Sequence, residues 1–299
     1  MKKAALLALG ISLIANVANA QFYFRAGAGY AVPQAGQTLD GNATPYSGTR
    51  SNSTYSVSYD MKNVSFSSGA QAVLGFGYMF NDHVGVQLDG SFGLANTKYS
   101  FTDQNVNLGG GYQGNVHINM KAKSPVVLMP SLVLQTGGSS AWNLYTRFGA
   151  ALPLMSSISN EQVIFVPSVS VTETITSKLT SSFSLGFAAA AGLQYKISDK
   201  TTFWAELNML SMSLMLKEVT YQTATINGVT YPLDSLSIPP SIKYSKNAIV
   251  DTNYNTLPTY SLPFSNLGVH IGFTFLLSEK KNKRSDAADN RKAKSYRRR

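Results

Sequence analysis

The stretch VGVQLDGSFGL, residues 84–94, places Val84, Val86, Leu88, Phe92 and Leu94 on one parity and Gln87, Asp89 and Ser91 on the other. Side chains alternate faces along a β-strand, so this pattern predicts a strand with one apolar and one polar side. A half-wet strand of a soluble sheet and a strand facing lipid share that pattern. The medium has to be read from the rest of the chain.

Seven further runs of similar length and period two surround it. The eight predicted strands cover 21–32, 69–80, 83–96, 124–136, 142–152, 181–197, 202–216 and 265–277. Each has roughly the ten residues that a tilted strand needs to cross a bilayer. The apolar parity of the first run is Phe22, Phe24, Ala26, Ala28 and Tyr30, and that of the last is Leu267, Val269, Ile271, Phe273 and Phe275. Arg25, Asp89, Arg147, Lys196, Glu206 and His270 all fall on the opposite parity. A closed sheet with its charges inside and Phe, Leu and Val outside makes no physical sense in water, and is the arrangement of a membrane barrel.

The connections alternate in length. Asn81-Asp82, residues 137–141 and residues 198–201 are compact turns, whereas 34–68, 97–123, 153–180 and 217–264 are long and rich in Ser, Thr, Asn and Tyr. Short turns at one end and long loops at the other are the plan of an outer-membrane barrel. The expected fold is all-β: a transmembrane, antiparallel, up-and-down barrel of eight strands, with ten as the alternative. In the ten-strand version the last connection, where Asn227-Gly228 marks a hairpin tip, adds a pair to the wall instead of standing above the membrane. Phe22, Tyr78, Phe80, Trp142, Tyr195, Phe203 and Phe275 lie near the short turns as an interfacial girdle.

Composition and the chain ends agree with export. Charged residues are only 13% of the chain and cysteine is absent, which excludes a disulfide scaffold and attachment through an N-terminal cysteine. Residues 1–20 combine Lys2 and Lys3, an apolar stretch and Ala18-Asn19-Ala20, the pattern of a signal peptide. A barrel domain is expected over 21–278 and a basic, disordered periplasmic tail over 279–299. That tail holds ten Lys or Arg against three Asp or Glu, most of the formal +10. The barrel itself is therefore near neutral, and no nucleic-acid groove is implied.

Eight strands leave a lumen that side chains fill. Arg25, Asp89, Arg147 and Glu206, with His270, are expected to meet there as a balanced charge network. Inward glycines such as Gly27, Gly75, Gly77, Gly149 and Gly192 make room for their longer neighbours. No catalytic, cofactor-binding or metal residues are assigned. Of the three histidines, His83 lies at a turn, His117 in the second long connection and His270 between Gly268 and Gly272, and no spacing selects a nucleophile or a ligand set.

The chain resembles the small outer-membrane β-barrel proteins of the OmpA, OmpX and OmpW type. The match is carried by the last run, where Asn266, Gly268, Ile271 and Phe273 fit a C-terminal assembly signal of polar-x-Gly-x-x-hydrophobic-x-aromatic form, with Phe275 in a second, looser register. The departure is that such barrels often stop at a terminal aromatic, whereas this chain continues for about twenty residues. The resemblance implies the bacterial outer membrane, contact with its lipid and lipopolysaccharide, and recognition by the barrel-assembly machinery. It implies no peptidoglycan-binding role and no cofactor.

The expected function is non-enzymatic: a structural or surface-recognition role, adhesin-like, through the long loops. Tyr46, Tyr55, Tyr59, Tyr221, Tyr231, Tyr244 and Tyr254 are the candidate contacts for a host or cell-surface ligand. The basic tail is a candidate for cell-wall contact. The alternative is a narrow porin, or an OmpW-like conduit with Pro130 and Pro153 loosening the wall; an outer-membrane hydrolase is a third reading.

Overall fold

The computed structural model describes residues 21–34, 38–39, 62–123, 125–137, 140–154, 157–246 and 256–277. The expected signal peptide, the tail, and Tyr46, Tyr55, Tyr59 and Tyr254 lie outside the described residues. Along the chain, β1 (Gln21–Pro33) precedes a short pair, β2 (Thr38–Leu39) and β3 (Lys62–Asn63). Three further hairpin pairs alternate with it: β4 (Gly69–Met79) and β5 (Val84–Gly93), then β6 (Thr97–Gly109) and β7 (Tyr112–Ala122), then β8 (Val126–Gln135) and β9 (Trp142–Pro153). The same alternation continues with β10 (Ser157–Val166) and β11 (Val171–Ser181), β12 (Gly186–Lys196) and β13 (Thr201–Ser211), and β14 (Ser213–Ile226) and β15 (Val229–Tyr231). Short β16 (Ser241–Ser245), β17 (Thr256–Pro258) and β18 (Ser261–Pro263) lead to β19 (Asn266–Leu276).

Eight strands close a barrel in the order β1-β19-β13-β12-β9-β8-β5-β4. Closure pairs every strand on both sides, which is what lets a sheet cross hydrocarbon without an open edge. The eight sequence-derived runs correspond to these strands, and the ten-strand alternative is overturned because β14 and β15 pair outside the barrel. Two run boundaries are corrected. The run at 202–216 divides at Met212, where β13 leaves the barrel wall and β14 begins, and the run at 181–197 divides between β11 and β12.

The larger correction concerns the long connections. Residues 97–123, 153–180 and 217–264, read as loops, are mostly strands of a second, nine-stranded sheet ordered β17-β16-β14-β11-β10-β7-β6, with β15 and β18 on β14. Their alternation is as clean as that of the wall. In β7, Val116, Ile118, Met120 and Ala122 are buried while Asn115, His117, Asn119 and Lys121 point the other way. Three barrel hairpins are thus extended outward, and the extensions pair with one another.

The chemistry of the two faces reverses where the barrel becomes the outer sheet. Between residues 84 and 103 the even positions stay outward, yet they pass from Val86, Leu88 and Leu94 to Lys98, Ser100 and Thr102. The odd, inward positions pass from Gln87, Asp89 and Ser91 to Tyr99 and Phe101. Facing is conserved and the medium changes: hydrocarbon surrounds the first part and water the second. VGVQLDGSFGL is therefore the membrane half of one long strand path whose outer half obeys the soluble rule.

Inward residues of the outer sheet form one apolar core. Phe66, Phe101, Ile118, Met120, Leu214, Leu216, Leu262 and Phe264 pack with Val127, Met129, Ala151, Ala188 and Leu210 from the upper barrel wall. This core sits over the barrel mouth. Tyr221, Tyr244 and Tyr260 pack against it, with Tyr244 and Tyr260 edge to face at 5.7 Å. Tyr221 and Tyr244 are therefore half-buried supports of the sheet rather than the presented contacts that sequence suggested, while Tyr231 is exposed.

Candidate functional site

The charged residues of the lumen come from five strands. Arg25 on β1, Asp89 on β5, Arg147 on β9, Glu206 on β13 and His270 on β19 are all buried. Their parity puts them inside, and closure of the wall brings them to one depth. Arg147 Nη1 lies 2.9 Å from Asp89 and its Nη2 2.7 Å from Glu206. Arg25 Nη2 donates to Glu206 at 3.0 Å, and its Nε lies 4.0 Å from Asp89. Two guanidinium groups and two carboxylates therefore form a closed, charge-balanced set.

Neutral groups complete it. Tyr145 donates to Glu206 at 2.7 Å, Gln87 to Asp89 at 2.5 Å, and Tyr23 to Gln87 at 2.6 Å. The Arg25 guanidinium stacks over the Trp204 ring at 3.8 Å, a cation–π contact that occupies its face while its edge bonds carboxylate. His270 is the looser member: Nδ1 stands 3.7 Å from Glu206 and Nε2 is 3.2 Å from Gln71. Lys196, predicted on the same parity, lies at the exposed short-turn end and pairs with Asp199 at 2.7 Å.

Glycine makes these large groups fit. A side chain at Gly75 would strike the Asp89 carboxylate, one at Gly77 the Tyr23 ring, and one at Gly27 the Trp204 indole. Sequence reasoning found the charged members but not Trp204, Tyr145 or Tyr23. Each shares the inward parity, and aromatic residues on that parity were the available signal.

Toward the outer end, Asn266 donates to the backbone oxygen of Ser67 at 2.9 Å and to its hydroxyl at 2.7 Å. Ile271, Phe273 and Phe275 are exposed on the outer wall, and Gly268 faces inward against Asn208. The aromatic girdle is made of ring pairs: Phe22 and Tyr78 at 4.7 Å, Trp142 and Tyr195 at 4.7 Å, Phe203 and Phe273 at 5.7 Å. The hydrogen-bonded register between β8 and β9 is interrupted: Leu128 pairs with Leu152 and Ser131 with Gly149, leaving Met129 and Pro130 between them.

On the outer sheet, His117 lies in β7 rather than in a loop. Its Nδ1 is 2.8 Å from the Thr102 hydroxyl and its Nε2 3.1 Å from that of Ser100, both on the exposed face of β6. Among the described residues no group of three or more His, Cys, Asp or Glu is placed to hold a metal ion.

An antiparallel barrel with an apolar outer wall, an aromatic girdle and an ionised interior defines a β-barrel membrane protein. Residues 4–231 match the model of the outer membrane protein beta-barrel domain, and the chain belongs to that family; its place is the bacterial outer membrane. Among solved structures, the outer membrane protein OprG from Pseudomonas aeruginosa is similar at 17% identity and a TM-score of 0.43, over 86% of this chain and 95% of that one. Ail, the attachment invasion locus protein of Yersinia pestis, is similar at 11% identity and a TM-score of 0.28, over 86% of this chain and 97% of that one. A structure of Ail in complex with the heparin analogue sucrose octasulfate gives 14% and 0.29, over 86% and 98%. No curated protein matches the chain.

Proposed function

We propose that this protein is a non-enzymatic, surface-exposed barrel whose outer sheet, not its lumen, is the working part. One observation carries the reading: the lumen is occupied by a buried, charge-balanced side-chain set and roofed by an apolar core, while the outer sheet turns hydroxyl, amide and charged side chains to solvent. A rigid sheet loses little conformational entropy when it binds a partner, which suits recognition of a host or cell surface. The test is twofold. Purified protein in planar bilayers gives no steady conductance, and cells displaying it adhere to a host-cell or glycan surface in a way that purified protein competes away. Steady channels, or adhesion unchanged by the competitor, overturn the reading.

A second reading, a sideways conduit for small apolar molecules, is favoured by the ladder interruption at Met129 and Pro130. There the inward wall is already apolar, with Val127, Met129 and Ala151 behind it. Uptake of an apolar solute by liposomes that is lost in Pro130→Val supports it; uptake equal to that of empty liposomes removes it.

The same reading includes three expectations about the chain itself. Residues 1–20 direct export, Asn266, Gly268, Ile271, Phe273 and Phe275 are read by the assembly machinery, and the tail beyond residue 278 meets anionic surfaces in the periplasm.

A further inference from the structure

Between the charge-balanced set and the apolar core, the upper lumen encloses a cavity of about 10 Å³, room for roughly one water-sized sphere. Its polar lining comes from Ser67 just before β4, Gln71 on β4, Ser91 on β5, Asn208 on β13 and Asn266 on β19. Val127, Met129 and Leu210 close the rest. Each of the five polar side chains carries an oxygen, and none is a carboxylate.

Their hydrogen bonds turn protons away from the cavity. Asn266 gives its amide protons to the backbone oxygen and the hydroxyl of Ser67. A backbone oxygen only accepts, so the amide nitrogen has to lie on that side and Oδ1 on the other. Ser67 gives its own hydroxyl proton to the Phe264 backbone oxygen, and Ser91 gives its proton to Gln71 Oε1 at 3.2 Å. Asn208 and Asn266, 8% and 1% exposed, each bury an Oδ1 with no hydrogen-bond partner among the described residues. Gly268 leaves the space that Asn208 Oδ1 takes up, since a Cβ there would strike it. Two buried carbonyl oxygens without partners are costly unless something that only accepts electron density sits between them.

Chemistry selects that occupant. A water could give its two protons to the asparagine oxygens, but its own oxygen would face Ser67, Ser91 and Asn266, whose protons are already given away. A cation asks for acceptors alone. Divalent cations take carboxylate ligands, and this lining has none, so a single positive charge fits it better. The cavity's small volume favours sodium over the larger potassium ion. The charge-balanced set below adds no net positive charge to oppose it.

We propose that this cavity is a sodium site, in which the oxygens of Asn208, Asn266 and Ser91, helped by those of Gln71 and Ser67, replace the hydration shell of the ion. The ion ties β4, β5, β13 and β19 together directly beneath the apolar core, and so holds the roof on the barrel. This inference goes beyond the recognition role proposed above and does not depend on it.

The full folded chain in dodecylphosphocholine micelles is heated in about 150 mM sodium, potassium or choline chloride, salts that screen charge equally. The temperature at which the folded gel band disappears is read. Wild-type protein is expected to melt about 3 °C higher in sodium than in choline chloride, with a smaller gain in potassium. Asn208→Leu removes one unpartnered oxygen and fills its place with a side chain of similar size. It abolishes the sodium gain, yet in choline chloride it melts at or above wild type, because one buried acceptor fewer is left unpaired. A variant that merely damaged the barrel would melt lower in every salt and keep the gain.

Ser91→Ala, which removes a third oxygen, lowers the sodium gain about two-fold. The sodium NMR line broadens with wild-type protein and stays narrow with Asn208→Leu. Equal melting in sodium and choline chloride means that the cavity takes a water only, and overturns the proposal. A sodium gain that survives Asn208→Leu places the ion elsewhere and overturns it too. A larger gain in calcium chloride of matched ionic strength overturns the assignment to a monovalent ion.

Discussion

Arg147 grips Glu206 with two nitrogens, Nη2 at 2.7 Å and Nε at 3.3 Å, across 59 residues of sequence and past the intervening strand β12. A bidentate guanidinium–carboxylate pair fixes orientation as well as distance. Because Glu206 also accepts from Arg25 and Tyr145, it is the hub of the interior.

Neutralising that hub is expected to cost much more than neutralising a surface pair. Glu206→Gln leaves two buried guanidinium groups facing one carboxylate, a change of about 3–5 kcal/mol when a buried pair is broken. The folded gel band should be lost at a clearly lower temperature. Asp199→Asn, which removes the exposed partner of Lys196, should leave that temperature unchanged.

Filling a glycine should be as harmful as removing a charge, and reversible by shrinking the neighbour. Gly77→Val drives a side chain into the Tyr23 ring and should cost about 1–3 kcal/mol by overpacking. Tyr23→Ala in the same chain should recover part of that loss, a coupling that a double-mutant cycle in folded yield or denaturant midpoint measures.

The outer sheet should be separable from the barrel in stability. Leu214 and Phe264 are buried in the apolar core above the lumen, and Leu214→Ala should cost about 2–5 kcal/mol. Protease added to intact cells should then cut within residues 97–123 or 157–181, while the heat-resistant barrel band persists.

Alkali should open the same core. Burial raises the phenol pKa of Tyr221, Tyr244 and Tyr260 above the ordinary 10.0, with neighbouring tyrosines adding to the effect at Tyr244 and Tyr260. A raised folded-state pKa means that the unfolded chain releases its proton first. The stabilisation is therefore complete below about pH 10 and falls as pH rises further toward the folded-state values. Near-ultraviolet circular dichroism should report loss of the sheet above that pH, and Tyr260→Phe should move the onset upward.

Several of these relationships were legible before any fold was known. Arg25, Asp89, Arg147 and Glu206 could be assigned to the interior from parity alone, because a closed eight-stranded wall has only two faces and one of them meets hydrocarbon. The short turns and the hairpin tip at Asn227-Gly228 were also readable, since positive φ at both positions, +49° and +80°, calls for those residues. Which acid each arginine meets was not: Asp89 and Glu206 are equally inward, and strand order and stagger set their distances. The nature of residues 97–123 was likewise hidden. Val116, Ile118 and Met120 alternate as cleanly as any wall strand, but alternation states only that two media differ, not which medium lies on which side.

The sequence by itself determined the eight strands of the barrel, their two-faced character and the balance of charge, because side-chain periodicity and composition are local properties. Only the tertiary structure decided where the faces exchange roles. That boundary is a position in space, set where the closed barrel ends and its hairpins pair with one another, and beyond it the same outward direction leads from lipid to water.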